Sequence, residues 1–138
     1  MADSSRAKEI AMANDNNTLV KSEWYIMERL WETAPRTYVQ LCHDLKVNPG
    51  WSRSTVQTML ERMTEKGILR YEVVGRAKQY YPNIARDDAA IAETRSLLDR
   101  AFEGSASLMM STLVRKKQLT KDEINELYAI LQEAEVQK

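Results

Sequence analysis

The 138-residue sequence predicts a mainly α-helical chain carrying one small β-hairpin. Three observations predict it. Apolar residues recur at helical spacing in short segments between residues 22 and 66. The period switches once, to an extended pattern rich in Val and Tyr, between 68 and 81. It then returns to helical spacing, and the last helix opens on Thr120-Lys121-Asp122-Glu123, a capping-box signature.

Taken in order, residues 1–18 are polar and rich in Asn, Asp and Ser, with no sustained period, and are expected to form a disordered tail. Trp24, Met27, Leu30 and Trp31 then mark a first helix over about 22–33, with Ser22 as its expected N-cap and Pro35 just beyond its end. Tyr38, Leu41, Cys42 and Leu45 share one side of a second, short helix between Thr37 and Lys46. Val47-Asn48-Pro49-Gly50 is turn chemistry, because proline fixes φ and glycine accepts positive φ. The third helix, about 53–66, has the stripe Val56, Met59, Leu60 and Met63, a capping Ser52 and a terminating Gly67. A strand over 68–74, a Gly75-Arg76 turn and a returning strand over 77–81, stopped by Pro82, make the hairpin. Three further helices follow, at about 87–102, around Leu108–Val114 and over about 121–135. Gly104 and Ser105 separate the first two. The expected domains are therefore 19–82 and 83–138.

Composition narrows the function. The length suits one domain, or one small domain with a helical appendage, and is too short for an α/β barrel. No apolar run approaches the ~20 residues of a membrane span. The N-terminus lacks the apolar centre of an export signal, and a single cysteine cannot form an internal disulfide, so a cytoplasmic location is expected. An enzyme is disfavoured: there is one His, no glycine-rich phosphate loop, no His-x-x-x-His pair and no nucleophile signature. Neither a cofactor nor a metal site is expected. Cys42 falls on the apolar side of its helix, and His43 beside it has no cluster of further ligands.

The twenty basic and twenty acidic residues cancel, but they are not evenly spread. Residues 52–81 hold six Lys/Arg against three acids, while 83–138 hold eight against ten. A basic middle suits an anionic partner.

Three helices, a hairpin and further helices is the order of a winged helix-turn-helix followed by a three-helix segment. The third helix carries the functional expectation. Opposite its apolar stripe lie Ser54, Thr55, Gln57 and Thr58. Their short hydroxyl and amide groups both donate and accept, which suits base edges in a major groove. Arg53, Arg62, Lys66, Arg76 and Lys78 flank that face and are candidates for phosphate contact. A Ser/Thr/Gln face is also what an ordinary solvated helix presents; the basic hairpin immediately after it favours double-stranded DNA. In the C-terminal segment, Leu97, Leu98, Phe102, Leu108, Leu113, Ile124, Leu127 and Leu131 amount to more apolar surface than three short helices can hide. Covering it needs either the first domain, residues 20–82, or a second copy of the chain, and with a second copy these residues are the expected dimerisation set.

Several stretches together resemble the BlaI/MecI/CopY family of bacterial repressors. They are Ser22-Glu23-Trp24 with Met27 and Trp31; Trp51-Ser52; Thr55-Val56-Gln57-Thr58-Met59-Leu60-Glu61-Arg62-Met63 with Lys66-Gly67; Gln79-Tyr80-Tyr81; and Leu119-Thr120-Lys121-Asp122-Glu123-Ile124-Asn125-Glu126-Leu127. The resemblance covers about 19–133. It implies a homodimer on an inverted-repeat operator, with Ser54, Thr55, Gln57 and Thr58 at base-reading positions and Ser52, Arg62, Arg76 and Lys78 where DNA-backbone contacts are expected. Two release signals are implied by the family. The copper-responsive branch uses a C-terminal cysteine hook, and this chain ends without cysteine. The β-lactam-responsive branch uses a membrane sensor and cleavage of the repressor. The family's scissile Asn-Phe bond aligns near Thr112-Leu113, where this chain has neither residue. β-Lactam-linked regulation is preferred, a copper or other signal is the alternative, and a protein-interaction adaptor that binds no duplex is the rival outside this class.

Overall fold

The computed structural model describes residues 18–137, so the expected tail lies almost wholly outside the described residues. The elements run α1 (Lys21–Glu32), β1 (Arg36–Thr37), α2 (Tyr38–Val47), α3 (Arg53–Glu65), β2 (Leu69–Val74), β3 (Ala77–Pro82), α4 (Arg86–Ala101), α5 (Ala106–Arg115) and α6 (Lys121–Val136). The chain divides into two compact units, the first ending at Ser96 and the second starting at Leu97.

In the first unit, the three helical stripes close on one another. Ile26, Met27 and Leu30 of α1 meet Leu41 and Leu45 of α2 and Val56, Leu60 and Met63 of α3, all essentially without solvent exposure. At ~1.5–3 kcal/mol per fully buried aliphatic or methionine side chain, this cluster is the main source of cohesion. Ile68, Leu69 and Tyr80 extend it onto the sheet. Ala89 in α4 belongs to the same core and Ala92 is also buried. The compact unit accordingly runs past the 82/83 boundary that the sequence suggested.

Two details differ from expectation. The sheet has three strands, ordered β1-β3-β2, because Arg36 and Thr37 pair antiparallel with Tyr80 and Gln79. A two-residue strand has no period to read; only its long-range pairing defines it. The N-cap of α1 is Val20 rather than Ser22, which lies inside the helix. Valine offers no side-chain acceptor, so the cap is one-sided: Val20 N–H donates to Glu23 Oε1 at 2.9 Å.

In the second unit, Ser105 caps α5 by accepting from Leu108 N–H at 3.0 Å. The capping box of α6 forms in full, with Thr120 N–H to Glu123 Oε1 at 2.9 Å and Glu123 N–H to Thr120 Oγ1 at 3.1 Å. No residue of α5 or α6 is buried. Among the described residues, no helix is long and apolar enough to cross a membrane.

Candidate nucleic-acid interface

The candidate reading helix is α3, and its N-terminus is fixed from several sides. Ser52 caps it, its Oγ accepting from Thr55 N–H at 3.3 Å. The same hydroxyl lies 3.1 Å from Ser54 Oγ and 3.0 Å from Thr55 Oγ1, so three hydroxyls form one cluster at the first turn. Tyr38, at the start of α2, donates its phenol O–H to the Arg53 carbonyl at 3.1 Å. A hydrogen bond to Cys42, with smaller help from desolvation, raises the Tyr38 pKa above its ordinary value, so at neutral pH the phenol keeps its proton. Just before the cap, the Trp51 ring meets the Tyr25 ring edge-on at 5.7 Å, tying α3 to α1.

The two sides of α3 are sharply different. Val56, Leu60 and Met63 have no exposure, whereas Ser54, Thr55, Gln57, Thr58, Glu61 and Arg62 are all exposed. Ser54, Thr55, Thr58, Met59 and Arg62 line one shallow groove on the helix surface. Gln57 Nε2 donates to Glu61 Oε1 at 2.8 Å, which holds the amide extended one turn along the helix with its carbonyl oxygen free to accept.

Of the six candidate phosphate contacts, five stand open. Arg53 and Arg62 are exposed on α3, Ser52 is exposed at its cap, and Arg76 and Lys78 are exposed on the hairpin. Lys78 Nζ sits 4.4 Å from the Tyr71 ring centre across the β2–β3 ladder, a cation–π contact that stiffens the basic edge of the wing. Lys66 differs from expectation. Its ammonium is bound to Glu23, whose carboxylate is buried in the first turn of α1. Sequence reasoning missed this because the partners are far apart in the chain; a buried acid in an apolar stripe was the available signal. The wing is anchored in a similar way. Trp31 Nε1 donates to the Ile84 carbonyl at 2.8 Å, and Asn83 Nδ2 donates to the Gly67 carbonyl at 3.0 Å.

In the second unit, Leu97, Leu108 and Leu131 are exposed, while Leu98, Phe102, Leu113, Ile124 and Leu127 are half-buried. Tyr128 and Ile130 add apolar surface that is 66% and 59% exposed. Thr112 and Leu113 lie inside α5, and Thr112 Oγ1 donates back to the Leu108 carbonyl at 2.8 Å. The peptide bond between them is therefore helical, not the extended strand that proteases bind.

Several known proteins are similar to this chain. A family model described as penicillinase repressor matches residues 19–133. The penicillinase repressor of Bacillus licheniformis is 34% identical over 112 residues, which is 81% of this chain and 88% of that protein. The methicillin resistance regulatory protein MecI of Staphylococcus aureus (strain N315) is 23% identical over 120 residues, 87% of this chain and 98% of that one. Among solved structures, the monomeric form of Bacillus licheniformis BlaI in complex with the blaP half-operator aligns with a TM-score of 0.47 and 31% identity, over 51% of this chain and 87% of that one. With a family match over nearly all the described residues and a relative of this similarity, the chain belongs to the penicillinase-repressor family.

Proposed function

We propose that the chain is a sequence-specific transcriptional repressor of β-lactam-resistance genes that binds an inverted-repeat operator as a homodimer. Ser54, Thr55, Gln57 and Thr58 read base edges; Ser52, Arg53, Arg62, Arg76 and Lys78 hold phosphates. The observation that carries this reading is the two-sided character of α3. One side is sealed into the core and the other presents short donors and acceptors to solvent, with Glu61 and Arg62 at its far end. Lys66 is assigned to the protein's own frame. No catalytic role is assigned, and a cytoplasmic location follows from the DNA target.

The homodimer reading rests on the second unit. Helices that bury none of their own residues, yet expose Leu131, Ile130 and Tyr128, lower their free energy by covering that surface, and a two-fold copy is the commonest cover. Release through a membrane sensor and cleavage fits the family. Given the helical Thr112-Leu113 bond, we place the cut in the non-helical segment 116–120, or require that α5 first unwind.

Selection of duplexes from a random pool by the full-length protein tests the reading. Recovery of an inverted repeat, bound with two protomers per duplex, is the expected result. Recovery of no enriched sequence at low salt would overturn it in favour of a protein-interaction adaptor.

A further inference from the structure

One concavity of the first unit has no part in the DNA reading. It lies between α1 and α2, holds about 600 Å³, and is bounded by Trp24, Tyr25, Lys21 and Arg29 on one side and by His43 and Asp44 on the other. That volume is in the range of small-molecule sites.

Its walls are fixed before any ligand arrives. The Trp24 ring is held edge-on against Trp31 at 5.6 Å, and the Tyr25 ring against Trp51 at 5.7 Å. Both lining carboxylates already face cations outside the cavity, Asp44 through a charge contact without a hydrogen bond. Asp44 pairs with Arg36 at 3.4 Å, and Glu28 pairs with Arg86 at 2.7 Å. Arg29 is likewise occupied by Glu32 at 3.2 Å. The polar groups left to a ligand include the Lys21 ammonium, the His43 imidazole and the Asn48 amide, all exposed, and of these Lys21 carries a full positive charge. Lys21 is also the first residue of α1, at the positive end of the helix dipole.

From this pairing pattern we infer that the α1–α2 cavity is a binding site for a small aromatic carboxylate. The ring packs against Trp24 and Tyr25, and the carboxylate takes a charge-assisted hydrogen bond from Lys21, with His43 as a second donor. A cationic ligand would have to share carboxylates that already face Arg36 and Arg86. A neutral ring gains the stacking but forgoes the ammonium.

Naphthalene-2-carboxylate and its carboxamide serve as probes, titrated into the full-length protein without DNA so that the outcome is independent of the repressor reading. The readout is the Trp24 indole N–H resonance, assigned with Trp24→Phe. The expected result is a saturable shift at Trp24, with the carboxylate bound at least tenfold more tightly than the amide. Lys21→Gln, a change at an exposed side chain, should abolish that tenfold preference while amide binding persists. Absence of a saturable shift at Trp24, equal binding of the two probes, or an unchanged preference in Lys21→Gln would each overturn the inference, as would shifts confined to the C-terminal unit.

Discussion

The ammonium of Lys66, at the C-cap of α3, closes on the carboxylate of Glu23, whose side chain is only 4% exposed in the first turn of α1. Glu23 Oε1 is taken by the Val20 amide and Oε2 by Lys66, so the acid is satisfied on both oxygens. This one acid fixes the start of α1 and clamps the far end of α3. Lys66→Ala should cost about 2 kcal/mol in urea denaturation. That is below the ~3–5 kcal/mol of a fully buried pair, because the Lys66 side chain is half in water. Operator binding by the folded variant should keep the wild-type salt slope. A salt slope reduced by about one would return Lys66 to the phosphate set.

The wing depends on a second long-range tie. Trp31→Phe removes the donor to Ile84 but keeps a ring in the same place. A loss of about 1–2 kcal/mol is expected, since a half-buried carbonyl is left without its partner. Operator affinity should fall with it, because Ile84 lies two residues beyond the strand that carries Lys78. Equilibrium unfolding and fluorescence anisotropy on the same variant check both halves.

Lys78 carries the phosphate claim for the wing. Lys78→Ala should weaken selected and random duplexes by similar factors and lower the slope of log K against log[salt] by about one. A loss confined to the selected sequence would make Lys78 a reader of bases instead.

The exposed apolar residues of α6 give a prediction about assembly. Leu131→Asp places a charge in the proposed two-fold interface, and sedimentation equilibrium should then show monomers where the wild type shows dimers. The first unit should keep its own fold, because its core is complete without α6. An unchanged dimer would place the interface elsewhere.

Much of this architecture was legible from local signals. The stripe Val56, Met59, Leu60 and Met63, the Ser52 cap, the Gly67 stop at φ +85° and the Thr120 capping box all act within four or five residues, and each stands where its spacing put it. What escaped was non-local. β1 exists only through its register with Tyr80 and Gln79. Lys66 belongs to Glu23, and Trp31 to Ile84, across 43 and 53 residues. Val20 took the cap from Ser22 with the buried acid three residues on accepting its N–H, the half of a capping box that needs no side-chain acceptor at the cap itself. For the site, the exposed hydroxyl and amide face was readable from helical spacing. Which flanking cations remain open to an anion was not, because that depends on tertiary pairing.

The decisive quantity is base-pair preference at the face of α3. Binding of Gln57→Ala and Thr58→Ala should be measured against the selected duplex and its single-base-pair variants. Each substitution should erase ~1–3 kcal/mol of discrimination at one base pair per half-site, leaving the other positions and the salt slope unaltered. If both variants instead weaken specific and random duplexes equally, the exposed side of α3 does not read sequence.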